Sequence, residues 1–345
     1  MPALRATSGV PNSTTRQSQG VSRVLVITNN LQQASYRLRV QALIQALAPR
    51  GVTLDVHVRP RERSARRQLL NSASTYDAVL LQRKMLDPGD TRLLRRNARK
   101  LFYDVDDAVM YHSRRVGPLK RWQTWRRFLA TARFADQVVA GNEYLAELFR
   151  RHGARASVLP TVVDPAHYQV KSHAATDAPT LVWIGSKSTL PYLRQFAAAL
   201  AAAKDRVPGL CLVTIADQPL DHSPIPCQHL PWSEQTESVS LCRGDIGIAP
   251  TPNDRWTLGK CGFKIVQYMA AGLPVIASPV GANGQIVIPG QTGILAEEPA
   301  DWADAVAILA ADTVKRQAMG AAARGRVEEY FSITRAVDFW TTMLS

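Results

Sequence analysis

The chain has 345 residues, 46% of them hydrophobic, which fits two globular domains and excludes a wholly disordered protein. Its net charge of +14 lies entirely in the first half: residues 1–170 hold 28 Lys and Arg against 12 Asp and Glu, and residues 171–345 hold 14 against 16. The first half therefore favours anionic partners such as nucleic acid, phosphorylated substrates or an anionic membrane surface.

Residues 1–22 are rich in Ser, Thr, Gln and Gly and have neither apolar periodicity nor the apolar core of a signal peptide, which predicts a disordered tail. No stretch reaches the roughly 18 consecutive apolar residues of a membrane-spanning helix. The four cysteines form no C-x-x-C pair and have no His cluster beside them, which favours reduced thiols over disulfides or zinc. We therefore expect a cytoplasmic protein that is at most peripheral on the inner face of the membrane.

Short apolar, β-branched runs alternate with helix-length segments across residues 23–165. This alternation is typical of a parallel, doubly wound sheet. The predicted strands are 24–28, 54–58, 78–82, 101–105 and 137–140. Residues 166–179 lose the periodicity and contain two histidines, which predicts a linker.

The alternation begins again in residues 180–330. The predicted strands are 180–184, 212–215, 246–249 and 274–277, and the predicted helices are 191–204, 263–271, about 300–310 and 313–330. Gly272 and Pro274 end the short helix at 263–271. The fold class is therefore α/β, with two Rossmann-like domains facing across a cleft, where ligands meet the C-terminal ends of the strands.

At residues 245–293 the sequence reads DIGIAPTPNDRWTLGKCGFKIVQYMAAGLPVIASPVGANGQIVIPGQTG, which resembles the donor-site region of family 4 glycosyltransferases. An aspartate-led strand, a loop, a short helix, AAGLPVIAS and a glycine-containing stretch follow in the order of that family. LFYDVDDAVM (101–110), SVLPTVVDPAHY (157–168) and VWIGSKSTLPYL (182–193) also resemble family segments, again in order.

The resemblance implies the GT-B arrangement. Residues 23–165 would form an acceptor-binding domain, residues 180–330 a nucleotide-sugar-binding domain, and residues 331–345 a helix that returns to the N-terminal domain. The implied activity is a metal-independent, retaining transfer of a sugar from a nucleotide-sugar donor to an acceptor, either lipid-linked or a growing surface glycan. The donor is a substrate, and neither a cofactor nor a metal ion is expected.

Several positions depart from the family pattern. The two family glutamates, eight positions apart, correspond to Gly259 and Gln267. Asn29 and Asn30 replace a Gly-Gly loop after the first strand. These departures leave open a catalytically weak or silent protein that only binds a nucleotide sugar.

Negative charge builds on the nucleotide diphosphate as the sugar departs, so the donor site needs cations, backbone N–H groups or helix N-termini. A polar loop, 185–189, precedes one predicted helix, and Gly262 opens another. Gln267 stands where the family binds ribose, and an amide still bonds hydroxyl groups. The predicted donor-binding residues are Gly185, Ser186, Lys187, Lys260, Gly262, Phe263, Lys264 and Gln267. Lys187 and Lys264 are also predicted to be catalytic.

In the first half, three carboxylates cluster at the end of the strand at 101–105. Asp106 is predicted to be catalytic, and Asp104, Asp107 and Arg37 are predicted to bind the acceptor. The alternative is that these carboxylates cap backbone groups and pair with nearby arginines. The D-x-D spelling also matches the metal motif of GT-A glycosyltransferases, but two Rossmann-like halves argue against that class.

A basic segment, 114–133, contains no acidic residue and interleaves seven Lys and Arg with aromatic side chains. Trp122, Trp125 and Leu129 would share one helix face, which predicts an interfacial membrane helix. The alternative is that this face packs into the domain core. The high pI of about 10.0 is also compatible with nucleic-acid binding, but no zinc-finger, RRM or helix-turn-helix signature accompanies it, so we expect no nucleic-acid partner.

Overall fold

The structure is a computed structural model that describes residues 22–112, 115–176 and 179–344. The predicted tail lies outside the described residues except for Ser22. Twelve strands are described in these ranges: β1 (Ser22–Thr28), β2 (Val52–Val58), β3 (Ala78–Gln82), β4 (Leu101–Val105), β5 (Gln137–Ala140), β6 (Ala156–Val158), β7 (Thr180–Ile184), β8 (Cys211–Ala216), β9 (Cys227–Pro231), β10 (Ile246–Ala249), β11 (Val275–Ala277) and β12 (Gly293–Leu295).

The α-helices of the first half and of the second half connect these strands. Those of the first half are α1 (Ala34–Tyr36), α2 (Ala42–Leu47), α3 (Arg63–Asn71), α4 (Pro88–Asn97), α5 (Pro118–Phe134) and α6 (Glu143–Arg150). Those of the second half are α7 (Leu190–Gln195), α8 (Ala197–Arg206), α9 (Glu237–Leu241), α10 (Phe263–Ala270), α11 (Asn283–Ile286), α12 (Pro299–Ala311), α13 (Thr313–Tyr330) and α14 (Ile333–Leu344). A π-helical turn, Arg37–Gln41, joins α1 to α2.

The strands form two six-stranded sheets with the orders β2-β1-β3-β4-β5-β6 and β12-β11-β10-β7-β8-β9. All the strand pairs are parallel, as the alternation of strands and helices predicted. In β1, Leu25 and Ile27 face one apolar cluster and Val24 and Val26 face another, because successive side chains point to opposite faces. Each sheet is therefore covered by helices on both faces.

Helix α14 packs against the first sheet although it follows the second one in sequence. The Trp340 ring contacts Phe102 of β4 with ring centroids 5.7 Å apart, and Val337 joins the same apolar cluster. The chain passes between the two halves at neighbouring points, since Val163 donates a backbone hydrogen bond to Phe331 and accepts one from Ile333.

Strand and helix positions differ from the prediction in a few places. The helix predicted at 191–204 is two helices, α7 and α8, because the helical conformation is interrupted at Phe196. Strands β6, β9 and β12 were not predicted. Strand β9 is a mostly exposed edge strand with the polar sequence CQHLP, and β12 has only three residues, so neither gives an apolar run.

Candidate functional site

The second sheet has its topological switch point between β7 and β10, its two central strands. In open α/β sheets, ligands bind in the crevice outside the carboxyl ends of the strands at such a point. The loop after β7 is 185–189, and the segment after β10 runs from 250 to Gly262. These are the two segments in which the sequence predicted donor contacts, so the topology brings them to one crevice.

The 185–189 loop is tightly packed at its start and exposed beyond. A Cβ on Gly185 would lie 2.3 Å from the Trp183 ring, so only glycine fits there. The backbone N–H groups of Ser186 and Lys187 donate to Thr189 Oγ1 at 3.0 Å and to Asp217 Oδ1 at 2.5 Å. Both of these amides are therefore already bonded, and the exposed Lys187 side chain is the loop's cation.

Helix α10 begins with a turn that requires glycine. Gly262 has φ +62°, and a Cβ there would lie 2.5 Å from Ile286 Cδ1. In the first turn of α10, Lys264 places Nζ 4.5 Å from the centroid of the Trp183 ring, a cation–π geometry. Burial, with a smaller effect of Lys260, lowers the pKa of Lys264 to about 7. An anion beside this amine would hold it in the charged form.

Phe263 and Lys260, which lie near Lys264 in sequence, make contacts in different parts of the molecule. Phe263 packs against the apolar cluster under the sheet. Lys260 places Nζ 5.7 Å from the centroid of the Trp256 ring and 3.8 Å from Asp107 Oδ1 in the first half. Of the two lysines, Lys264 thus belongs to the second half alone, and Lys260 spans the cleft.

Gln267 is buried and bonded to a carboxylate that the sequence did not single out. Its Nε2 donates to Glu237 Oε1 at 2.6 Å, and Tyr168 Oη donates to the same oxygen at 2.8 Å. Trp232 Nε1 donates to Glu237 Oε2 at 2.7 Å. A carboxylate thus lies beside position 267 although the chain has an amide there. Thirty residues separate Glu237 from Gln267, so no local spacing links them.

Position 259 lies against the first half. A Cβ on Gly259 would be 2.4 Å from Ala108 Cβ and 2.8 Å from the Ala108 backbone N. Asn142 Nδ2 donates to the carbonyls of Leu258 and Lys260 at 3.1 and 2.9 Å, and Cys261 Sγ contacts the Asp106 carbonyl at 2.8 Å. In this arrangement of the two halves there is no room for a glutamate at position 259.

Asp104 is occupied by a buried ion pair. Arg39 Nε lies 3.0 Å from both carboxylate oxygens, Arg39 Nη2 lies 2.5 Å from Oδ1, and both side chains are at most 3% exposed. Arg39 comes from the π-helical turn after β1, a feature that sequence periodicity does not show. The prediction that Asp104 contacts an acceptor is therefore corrected, because this carboxylate joins the turn to the sheet.

Asp106 and Asp107 lie at the cleft with Arg83, which the sequence analysis missed. Arg83 Nη2 bonds Asp107 Oδ2 at 2.7 Å, and Arg83 Nε lies 3.5 Å from Asp106 Oδ1. Neither that Nε nor that Oδ1 makes a hydrogen bond in the described part of the chain. Burial and then the charge of Asp107 raise the pKa of Asp106 to about 7. Arg83 has φ +60°, a strained conformation for a non-glycine residue.

Arg37 crosses the cleft from the first half. Its Nη1 lies 3.1 Å from Glu234 Oε2, and its guanidinium stacks 5.0 Å from the centroid of the Trp232 ring. Arg37 thus contacts the second half next to Trp232, the residue that bonds Glu237. In this arrangement its partners are in the second half.

In residues 22–112, 115–176 and 179–344, no group of three or more His, Cys, Asp or Glu side chains could hold a metal ion. None of the helices in these ranges is long and apolar enough to cross a bilayer.

The fold is that of GT-B glycosyltransferases. Sucrose-phosphate synthase from Thermosynechococcus elongatus superimposes with a TM-score of 0.70 at 15% identity, over 93% of this chain and 98% of that one. HepE from Anabaena, in complex with UDP and glucose, gives a TM-score of 0.68 at 15% identity, over 94% and 99%.

Residues 178–312 match the family model described as Glycosyl transferases group 1, which confirms the resemblance that the sequence showed. D-inositol 3-phosphate glycosyltransferase from Paenarthrobacter aurescens is 37% identical over 105 residues, 30% of this chain and 24% of that protein. Glycogen synthase from Mycobacterium tuberculosis is 25% identical over 256 residues, 67% of this chain and 60% of that protein. The match thus spans about a quarter of the first relative and less than two thirds of the second.

Proposed function

We propose that this chain is a glycosyltransferase that binds a nucleotide-sugar donor in its second half and an acceptor in its first half. The observation that carries the proposal is the crevice between β7 and β10, where Gly185 lies directly against the Trp183 ring and Lys264 supplies a cation 4.5 Å from the centroid of the same ring. The family match of residues 178–312 supports this assignment of the donor half.

The roles of the residues follow from charge. Lys264 offsets the charge that develops on the departing diphosphate, and the exposed Lys187 adds a second cation at the crevice rim. Asp106 faces the crevice from the first half and holds the acceptor hydroxyl, with Asp107 and Arg83 fixing its position. As the family resemblance implies, the transfer is proposed to retain the anomeric configuration. It is also proposed to need no metal ion, because lysines supply the positive charge.

Ribose recognition is assigned to Gln267 and Glu237 together. The amide of Gln267 is held by Glu237, whose carboxylate is itself fixed by Tyr168 and Trp232. A fixed carboxylate with a neighbouring amide accepts hydrogen bonds from the two ribose hydroxyls. Because HepE was solved with UDP and glucose, UDP-sugars are the first donors to test.

A thermal-shift screen with UDP-, GDP- and dTDP-sugars tests the proposal. A ligand at 100 times its Kd raises the unfolding free energy by about 2.7 kcal/mol, which shifts the melting temperature by several degrees. The expected result is stabilisation by one nucleotide class, with release of that nucleotide when an acceptor is supplied. No shift with any of the three classes would contradict the proposal, and full activity lost with EDTA and restored by Mn²⁺ would contradict metal independence.

A specific observation favours a silent binding protein as the second candidate. Position 259, where the family carries a glutamate, has no room for a side chain against Ala108. Donor-dependent stabilisation without nucleotide release, across acceptors that include lipid-linked and glycan types, would identify this function. Nucleotide release would exclude it.

We further propose that helix α5 docks the first half on an anionic membrane. Leu119, Trp122 and Leu129 are 65%, 55% and 41% exposed and share one face with Arg126, whose guanidinium lies 4.6 Å from the centroid of the Trp122 ring. Trp125 was predicted on this face, but it packs on Phe128 in the core. The exposed stripe is therefore narrower than predicted, and Arg114 of the predicted segment lies outside the described residues.

Vesicle flotation tests the docking of α5. Each basic residue near an anionic surface contributes about 1 kcal/mol, so the triple variant R121E/R126E/R133E should lose binding by more than about a hundredfold. The variant R63E/R67E/R96E has the same net charge but changes exposed sites elsewhere, and it should keep most of the binding. Equal losses in both variants, or tighter binding to duplex DNA than to vesicles, would contradict the proposal.

A further inference from the structure

A cavity of about 470 Å³ opens in the first half, outside the carboxylate cluster described above. Its lining contains three cations and no acidic residue: Asn29, Val58, Arg59, Pro60, Arg61 and Lys84. Cations that line a cavity repel one another, which costs folding free energy unless an anion offsets their charge. The composition therefore favours an anionic ligand.

The cations of the cavity make no ion pair with the residues that the structure describes. Within the described residues, Arg59, Arg61 and Lys84 have no carboxylate within ion-pair distance, and Arg59 Nε is buried without a hydrogen-bond partner. Burial lowers the pKa of Lys84, and the charges of the neighbouring arginines lower it further. Such a shift is expected where cations lie close together without an anion between them. The nearby Asp87 is bonded to Arg127 at 2.7 Å and does not supply that charge.

The position of the cavity in the fold points to a ligand site. Asn29, Arg59 and Lys84 follow the carboxyl ends of β1, β2 and β3. Strands β1 and β3 flank the switch point of the first sheet, since β2 lies on the far side of β1. The cavity therefore occupies in the first sheet the position that the proposed donor crevice occupies in the second.

The loop after β3 links this cavity to the carboxylates at the cleft. Arg83 and Lys84 are consecutive, yet the Arg83 side chain bonds Asp107 and Lys84 lines the cavity. The positive φ of Arg83 turns the backbone between the two. An anion in the cavity would thus lie one residue away from the group that positions Asp106.

We propose that this cavity binds the phosphate of a phosphorylated acceptor through Arg59, Arg61 and Lys84 and so presents a hydroxyl of that acceptor to the cleft. The proposal rests on the proposed function, because it names the acceptor class of the same transferase. A phosphate matches the site better than a carboxylate, since three cations and an amide fit a group with two charges and several acceptor oxygens. Either a soluble sugar phosphate or the phosphate of a lipid presents this chemistry.

Calorimetric titration of the full chain with glucose 6-phosphate, glucuronate and glucose tests the cavity directly. We expect glucose 6-phosphate to bind more tightly than glucuronate and glucose not to bind. In the variant R59Q/K84Q, affinity for glucose 6-phosphate should fall at least about tenfold, because charge-assisted bonds to phosphate are lost. The variant R63Q/R67Q removes two exposed cations of the neighbouring helix α3 and should bind within twofold of the parent chain.

A parallel titration with UDP separates the cavity from the proposed donor crevice. If R59Q/K84Q weakens UDP as much as glucose 6-phosphate, or if both variants behave alike, the proposal is overturned. Because these cations make no ion pair with any described residue, the melting temperature of R59Q/K84Q should equal or exceed that of the parent chain. A fall in this temperature would also count against an unpaired cationic site.

Vesicles of phosphatidylcholine with and without phosphatidic acid distinguish the two sources of phosphate. Binding to phosphatidic acid that depends on Arg59 and Lys84 assigns the site to a lipid phosphate, and binding of glucose 6-phosphate alone assigns it to a soluble acceptor. Binding of neither probe overturns the proposal. A chain that fails to bind any nucleotide would refute the proposed function, whereas the cavity titration would still give its own result.

Discussion

The two halves of the molecule share an architecture and differ in electrostatics. Both are six-stranded parallel sheets with helices on both faces, and both have a crevice at a switch point. The first half has a net charge of +16, spread over its surface and its cavity, whereas the second has −2 and sets one partly buried lysine at its crevice. The comparison teaches that the same backbone plan can carry positive charge in two ways, as a broad surface field and as a partly buried lysine at a crevice.

The largest expected effect is a loss of stability on removal of the buried Arg39–Asp104 ion pair in the first half. Asp104→Ala leaves Arg39 charged and buried without its partner, so the free energy of unfolding should fall by about 3–5 kcal/mol. Urea denaturation measures this loss. The paired variant R39M/D104L should recover much of the stability, because it removes both charges together. An Asp104→Ala protein as stable as the parent but with a raised acceptor KM would restore the acceptor role that the structure argues against.

A second variant tests Lys264, the partly buried cation at the crevice of the second half. Lys264→Met should weaken donor binding or turnover at least about tenfold, a change of roughly 1.4 kcal/mol. At pH 6 the Lys264 amine is charged, and its lowered pKa means that burial of this charge destabilises the folded state. The methionine variant should therefore fold at least as stably as the parent at pH 6. Lys187→Ala, in the same crevice but exposed, serves as the comparison and should have a smaller effect. Unchanged kinetics in a folded Lys264→Met protein would remove Lys264 from the site.

The same lysine makes donor binding depend on pH. Its pKa of about 7 in the free protein means that at pH 8 most molecules must take up a proton when an anionic diphosphate binds. Calorimetry in buffers of different ionisation enthalpy should therefore detect proton uptake at pH 8, and affinity should fall as pH rises above 7. Lys264→Arg, which stays charged, should show neither effect. Proton uptake that persists in Lys264→Arg would assign it to another group.

The pKa of Asp106 in the first half is shifted upward, whereas that of Lys264 is shifted downward. The Asp106 pKa of about 7 exceeds the ordinary value of 3.8, so the folded state binds more protons than the unfolded state between these pH values, and stability falls as pH rises. Linkage gives a loss on the order of 1 kcal/mol between pH 6 and 8 for this group, and Asp106→Asn should lack it. If the carboxylate holds the acceptor hydroxyl, activity should rise through pH 7 in the parent chain alone. An identical pH profile in Asp106→Asn would exclude that role.

The smallest expected effect concerns the contact between the halves. Arg37→Ala removes an ion pair whose Glu234 side chain is 71% exposed, and such pairs contribute at most about 1 kcal/mol. Unfolding free energy should change by less than that, while the KM for the acceptor should rise because the cation at the cleft is lost. Glu234→Ala removes the same pair without removing the cation and is the matched control. Equal KM changes in both variants would mean that Arg37 only holds the two halves together and does not contact the acceptor.

Local sequence determined the elements. Apolar β-branched runs are strands because alternate side chains such as Leu25 and Val26 must be buried on opposite faces, and this pattern is readable without tertiary information. The glycines at 185 and 262 were also readable, since each follows or precedes an element at a point where a ligand-binding turn was expected. Such features depend on neighbours in the chain, so the sequence by itself determined the fold class and the positions of these two glycine turns.

Only the tertiary structure decided which of the remaining polar groups are open to a ligand. It joined Asp104 to Arg39 across 65 residues, brought Glu237 to Gln267 and placed Arg83 beside Asp106. It also pressed Gly259 against Ala108 and gathered Arg59, Arg61 and Lys84 around one cavity. The physical reason is that charge pairing and exclusion of side chains depend on distances between separate strands and between the two halves. No local period in the sequence records those distances.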